Sequence, residues 1–344
     1  MAAARRRDHR HPQRRQVEVT RSSVPPPVTA VMDAASAWLP VRMAAVEDRL
    51  AELSVGYGPK LGEEAEATLT AGGKRLRPLL VLMAAGDSGG QRAVRAAAAV
   101  ELVHMATLVH DDVLDGAPVR RGRPTVVARS GRERAVGVGD LLFSRAFAEL
   151  AVDGEEAEVA ELSSASVALA LGELAQRRDA YDISISEERY LERCSLKTAR
   201  LFESACRVGR IASGIAGTDQ IASFGREIGL AFQLLDDVLD VTGPPERTGK
   251  ARGTDLLDGT VTLPLILARR LDPSLESADL HGLDQPHAEE LCDRIAATGA
   301  LEQVRGRAKE GISRAKRILD APEFTDEERE LFAMIADGVV ERYT

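Results

Sequence analysis

The pentad Asp-Asp-Val-Leu-Asp occurs twice in this chain, at 111–115 and again at 236–240. Each copy follows an apolar run, and each opens into a segment rich in Gly, Arg, Pro and Thr, at 116–134 and 242–260. On a helix, residues three and four apart share a face. That spacing stacks Asp111 on Asp115 about one turn apart, roughly 6 Å along the axis, with Asp112 beside them; Asp236, Asp237 and Asp240 repeat the pattern. Carboxylates this close repel unless a cation lies between them, and the helix dipole disfavours Asp at a C-terminus. Oxygen-only ligands so arranged suit Mg²⁺, which keeps waters and takes the rest of its shell from substrate phosphates. One such cluster could be a solvated acidic face. Two identical ones, each leading into a basic loop, read as a pair facing each other across a cavity and holding several Mg²⁺ ions and one polyphosphate.

The cations that such a site needs are present. GGKRLRP at 72–78 places Lys74, Arg75 and Arg77 at a predicted helix start, where free N–H groups and the dipole already favour anions. Its spacing is not that of a Walker A loop. RRGRPT at 120–125 adds Arg120, Arg121 and Arg123 just beyond the first pentad, and guanidiniums in a Gly/Pro turn suit bidentate phosphate contacts. Lys197 and Thr198 lie in the helical run LKTARLF, and Lys250 lies in the Gly-rich segment after the second pentad.

The rest of the chain must position these groups. At 344 residues, with 44% hydrophobic but only 3% aromatic residues, it can bury a large core, and its Ala, Leu, Val, Arg and Glu content favours helix over strand. Helical periodicity runs almost throughout from Met32, near 34–55, 59–71, 76–87, 91–115, 135–152, 154–181, 187–213, 218–241, 261–271, 286–320 and 325–342. No alternating strand and no Pro- or Ser-rich divider appears. The expectation is a single large all-α domain over 32–344, behind a disordered Arg/Pro-rich leader over 1–31.

Charge narrows the function classes. The net charge is −9; residues 1–31 carry seven Arg against Asp8 and Glu18, so the body is more acidic still. An acidic body argues against nucleic acid as the main partner. Cys194, Cys206 and Cys292 lack a CxxC spacing and fit ordinary thiols in a reduced, cytoplasmic compartment. No apolar run reaches bilayer length, so no stable membrane insertion is expected.

Taken together and in order, GKRLRP, ELVHMATLVHDDVLD, RRGRPT, GDLLF (139–143), LKTA (196–199), FQLLDDVLD (232–240), GKARGTDL (249–256) and VTLPL (261–265) resemble the trans-isoprenyl (all-E polyprenyl) diphosphate synthase family. The resemblance spans nearly everything after Met32. It implies a single α-helical bundle around a deep central cavity, a homodimer, and three Mg²⁺ ions per site. By position it implies that Asp111, Asp112, Asp115, Asp236, Asp237 and Asp240 bind Mg²⁺ and the allylic diphosphate. It implies that Lys74, Arg77, His104 and Arg121 bind isopentenyl diphosphate, and that Arg120 binds the allylic diphosphate. Lys197 and Lys250 would hold the leaving diphosphate, with Thr198 and Gln233 near the developing carbocation. One departure is Thr260, where many members carry Lys.

The implied reaction is ionisation of the allylic C–O bond, with the diphosphate's charge withdrawn by Mg²⁺ and cations. Carbon–carbon bond formation with isopentenyl diphosphate and proton loss follow. The product is again allylic and can re-enter. Ala106 and Thr107 lie one turn before Asp111, under the growing tail. In the resembled family a bulky aromatic near there closes the pocket for short products, so this pair implies a product longer than C20, in the range C30 to C50.

Other readings fit less well. A class I terpene cyclase shares the fold, but its second metal motif needs Asn, and the chain contains none. A di-iron bundle would need a second Glu-x-x-His beside Glu101–His104. A phosphohydrolase built on His110-Asp111 lacks further His ligands. A non-catalytic subunit would be expected to have lost one aspartate cluster.

Overall fold

The computed structural model describes residues 26–341, apart from 56, 57, 71, 72, 74, 121, 154 and 244–250. Lys74, Arg121 and Lys250 therefore lie outside the described residues. The expected all-α architecture is what the chain adopts: helices follow one another with short connections, and the described strands are the two-residue pair Val119–Arg120 and Arg123–Pro124.

Two long helices carry the pentads. Helix α5, Gly90–Asp115, ends on the first, and α11, Thr218–Thr242, ends just past the second. Helix α5 is the packing centre. Its Ala96–Ala99 run is wholly buried, and such small side chains let neighbouring helices come close. It lies along α7 (Arg132–Leu150) and contacts α4 (Leu76–Ala85) and α10 (Arg200–Ser213). Helix α10 in turn packs on α11 and on α8 (Glu156–Arg178). The 29-residue segment Asp87–Asp115 is long and apolar enough to cross a bilayer, but it lies largely buried inside this bundle.

The expected boundaries differ in three places. A helix already runs from Pro26 to Ala34, with Val31 buried, so the packed body begins before the expected boundary at 31/32; Pro in the first turn costs a helix nothing there. The stretch 286–320 is two helices, Gln285–Ala297 and Ala300–Ile318. Gly299, at φ +84°, makes the break between them, a conformation that favours glycine. The stretch 187–213 is interrupted by a five-residue π turn, Ser195–Ala199, between α9 (Glu187–Cys194) and α10.

A buried ion pair ties the last helix, Asp326–Glu341, to the core. Arg210 of α10 is fully buried, and its Nη1 lies 2.7 Å from Glu328 Oε1. The other oxygen of Glu328 accepts the Thr325 N–H at 2.8 Å, while the Glu328 N–H donates to Thr325 Oγ1 at 3.2 Å. This reciprocal pattern is a capping box, so one carboxylate starts a helix and neutralises a buried guanidinium.

Candidate active site

The π turn joins the two acidic helices. Adding a residue to a helical turn widens it, and such bulges concentrate at functional sites. Here it sends two adjacent side chains in different directions. Lys197 Nζ lies 3.9 Å from Asp111 Oδ2 on α5, and Thr198 Oγ1 donates to Gln233 Oε1 on α11 at 2.7 Å. Glycines make room for it. A Cβ on Gly172 of α8 would lie 2.7 Å from the Lys197 nitrogen, and one on Gly229 of α11 would lie 2.8 Å from Ala199 Cα.

Around the first pentad, charges alternate. Lys197 also pairs with Glu173 of α8, whose Oε1 is 2.7 Å from Arg177 Nε, and Arg177 reaches across to Asp115. Arg120, from the short hairpin, donates its Nε–H to Asp112 Oδ1 at 2.6 Å. Burial lifts the Asp111 carboxyl to about 6; Lys197 opposes the rise, Glu173 and Asp115 add to it, and Arg120 opposes it. Glu173 and Arg177 escaped the sequence reading, because an i,i+4 Glu–Arg pair on a long helix looks like an ordinary solvated pair.

The second pentad is less symmetrical than its letters. Asp236 is half-buried, but Asp237 and Asp240 are buried. Asp237 Oδ1 accepts the Gln233 Nε2–H at 2.7 Å, and Oδ2 accepts the hydroxyl of Tyr190. Burial drives the Asp237 pKa well above the carboxylate range, with Asp255 adding to it, against the two hydrogen bonds. Asp240 Oδ2 accepts the Asp255 N–H at 3.1 Å, and the Asp240 carbonyl accepts the Gly253 N–H at 2.9 Å. Asp240 thus holds the returning chain against the helix end.

The remaining expected residues separate. The Arg77 guanidinium lies over the Phe202 ring, 4.6 Å from its centroid. His104 is half-buried on α5, one turn before Leu108. Ala106 is fully buried, whereas Thr107 is half-buried and returns its hydroxyl to the His104 carbonyl at 2.7 Å. Arg75 turns inward instead of toward a ligand: it donates to Glu47 at 2.6 Å and to Glu101 at 2.8 Å. Glu101 is thereby committed, which removes it as an iron ligand. His110 lies against Gly139, where a Cβ would collide with its ring, and close to Asp140 and Phe143. The GDLLF motif is thus a seat for His110 on α7, the side of the bundle away from a hydrolase-like pairing with Asp111. Beside Asp112 a cleft opens between α5 and the helix Gly58–Thr70, floored by Met105, Leu108 and Val109 and rimmed by Arg120, Arg123 and Arg129.

Among the described residues no three His, Cys, Asp or Glu side chains converge as a preformed metal cage. The donor set nonetheless fits a hard divalent cation that shares its shell with substrate oxygens and water. It is carboxylate oxygen throughout, and the half-buried Asp111 beside Asp115 carries a charge cost that a cation offsets.

An all-α bundle with two aspartate pentads joined through a Lys-Thr turn is the arrangement of an isoprenoid-synthase-type enzyme. The chain belongs to the polyprenyl synthetase family, whose sequence profile matches residues 59–296; it is a prenyltransferase of the polyprenyl diphosphate synthase type. It is 38% identical to heptaprenyl diphosphate synthase component 2 of Geobacillus stearothermophilus, over 81% of this chain and 89% of that one. It is 36% identical to octaprenyl diphosphate synthase of Escherichia coli, over 72% and 79%. Chains named for shorter products match at 35%. Among solved structures, a polyprenyl synthase from Caulobacter crescentus, complexed with calcium and isoprenyl diphosphate, superposes with a TM-score of 0.84 at 33% identity, over 92% of this chain and 98% of that one.

Proposed function

We propose that the chain condenses isopentenyl diphosphate with an allylic diphosphate, repeatedly, to an all-trans polyprenyl diphosphate longer than C20. The observation that carries this reading is the π turn, from which Lys197 reaches Asp111 and Thr198 reaches Gln233. Asp111, Asp115 and Asp236 are the residues that would hold Mg²⁺, which supplies charge neutralisation of the departing diphosphate. Lys197, held by Glu173 and Asp111, is placed to turn its ammonium onto the same leaving group. Arg120, held by Asp112, is placed to bind the allylic diphosphate, and Arg77 and His104 to bind isopentenyl diphosphate. Thr198 and Gln233 bring oxygen dipoles to the side where the allylic cation develops. The released diphosphate is the base for the final proton.

Length is set along α5. Neither Ala106 nor Thr107 carries an aromatic ring, and the half-buried Thr107 can take a larger side chain with less overpacking than the enclosed Ala106. The test is product chromatography with radiolabelled isopentenyl diphosphate, Mg²⁺ and several allylic primers. Products beyond C20 are expected. A terminal C15 or C20 product overturns the length, and absence of isopentenyl diphosphate consumption overturns the reaction.

The same reading includes a homodimer. Val167, Leu171 and Leu174 form an exposed apolar stripe at helical spacing on α8, more than a lone surface hydrophobe requires. A name ending in component 2 makes an unlike partner the competing occupant. Light scattering on the purified chain distinguishes them: a dimer with full activity is expected, and an inactive monomer overturns it. Three unpaired thiols, Cys194, Cys206 and Cys292, support a cytoplasmic site, which fractionation of source cells tests.

A further inference from the structure

The second pentad contains an aspartate whose carboxylate is already used up. Asp237 is 1% exposed. Its Oδ1 accepts from Gln233 Nε2 and its Oδ2 from Tyr190, whose ring is itself buried. A carboxylate so engaged cannot turn to a shared metal without giving up the buried Tyr190 hydroxyl and the half-buried Gln233 amide.

The polarity of the hydrogen bonds then has a consequence. Oδ1 of Asp237 is an acceptor whether the acid is ionised or holds its proton on Oδ2 beside Tyr190, so facing it selects the NH₂ end of the Gln233 amide. The amide oxygen must then face Thr198. The Thr198 hydroxyl must donate to it, as it does at 2.7 Å, and a hydroxyl that donates in one direction leaves its lone pairs for the other. Thr198 therefore presents electron density, not a proton, away from Gln233. That orientation is the useful one beside a developing carbocation and the wrong one if the amide were reversed. Tyr190 fixes the far oxygen of Asp237, and it belongs to the same continuous segment as Thr198, since α9 runs directly into the π turn.

We propose that Asp237 and Tyr190 are positioning residues for prenyl transfer: they lock the Gln233 amide and, through it, the direction of the Thr198 hydroxyl, and Asp237 is not a metal ligand. This inference rests on the prenyl-transfer reading above, and the unmodified chain's consumption of isopentenyl diphosphate tests that reading separately.

The experiment compares Tyr190→Phe, Asp237→Asn and Asp236→Asn, each verified as folded by circular dichroism. Asn at 237 can satisfy only one of its two donors and turns an NH₂ toward the other. Tyr190→Phe and Asp237→Asn are expected to lower kcat by about 10- to 100-fold, the scale of a small misplacement of reacting groups. Their KM values and Mg²⁺ concentration for half-activation should stay within about threefold, while Asp236→Asn shifts the Mg²⁺ requirement by about tenfold or more, as loss of a ligand should. Thr198→Val supplies a second measurement. If Tyr190 acts through the Thr198 hydroxyl, Tyr190→Phe costs nothing further in the Thr198→Val background, whereas a merely structural role adds its full loss. A Mg²⁺ shift in Asp237→Asn matching that of Asp236→Asn, an unchanged kcat in Tyr190→Phe, or additivity in the double variant overturns the proposal. Should Asp237→Asn not fold, the Tyr190 and Thr198 cycle alone decides.

Discussion

The α-carbon of Gly172 sits so close to the backbone of Lys197 that a single methyl group placed on it would lie 2.7 Å from the Lys197 nitrogen. The clash is with main chain, which has no rotamer to yield. Gly172→Ala must therefore push the π turn away from α8 and carry Lys197 and Thr198 with it. We expect a folded protein whose kcat falls about 100-fold, in line with displacing reacting groups by an ångström. Circular dichroism with steady-state kinetics checks it, and unaltered kcat would show that the turn is not what aligns the site.

Tail length should respond to Thr107 more cleanly than to Ala106. Ala106 is completely enclosed, so Ala106→Phe overpacks the core and destabilises the fold by about 1–3 kcal/mol, besides shortening the product. Thr107 is only half-buried. Thr107→Phe should shift the terminal product by one or more five-carbon units with little loss of melting temperature. Chromatography of the dephosphorylated products reads the outcome, and an unchanged length in both variants would place the floor of the pocket on another helix.

Asp111 gives a pH signature with a definite sign. Its carboxyl is raised from 3.8 to about 6, chiefly by burial. Between those values the folded chain binds more protons than the unfolded one at this residue, so its contribution to stability falls as pH rises through the window and is fully lost above about pH 6. Asp111→Asn mimics the protonated side chain. Without Mg²⁺ the variant should be more stable than the parent by about 2–3 kcal/mol at pH 7.5, and the gain should vanish below about pH 4. It should have almost no activity. Thermal melts at several pH values, with and without Mg²⁺, test this; Mg²⁺ should stabilise the parent more than the variant.

Removing Glu328 should unfold the molecule from its far end. Glu328→Ala strands the fully buried Arg210 and deletes a helix cap together, and losing one partner of such a pair costs about 3 kcal/mol or more. Glu328→Gln keeps the capping geometry and should cost less. Chemical denaturation distinguishes them, and equal stability of the two variants would mean that the charge, not the cap, matters.

How much of this was legible beforehand depends on the kind of information each residue carries. The helical bundle and the two pentads could be read, because periodicity and motif spacing are local properties of the chain. The ends were less so: the helix Pro26–Ala34 packs on the last helix of the chain, a distant contact, while the break at Gly299 is set by one left-handed glycine inside an otherwise continuous periodicity. Within the site, residue types were visible but directions were not. Arg75 and Arg77 stand two positions apart in one motif, yet the first turns to Glu47 and Glu101 and the second to the Phe202 ring. Asp236 and Asp237 are neighbours with identical letters, but the rotation of α11 leaves one half-buried and binds the other to Tyr190 and Gln233. Nothing in the one-dimensional pattern distinguishes an inward carboxylate from an outward one. Glu173 and Arg177 were hidden for a related reason, since only the approach of α8 to the π turn gives an ordinary charge pair a role.

Helix α8 carries the apolar stripe of Val167, Leu171 and Leu174 outward and Gly172 against Lys197 inward. Leu171, Gly172, Glu173 and Leu174 are consecutive residues. The wall between this outer stripe and Lys197 is thus a single helix thick. A rotation of α8 by even part of a turn would trade one set of contacts against the other. In the homodimer proposed above, pressure on that stripe would be delivered to Lys197 by one rigid rod.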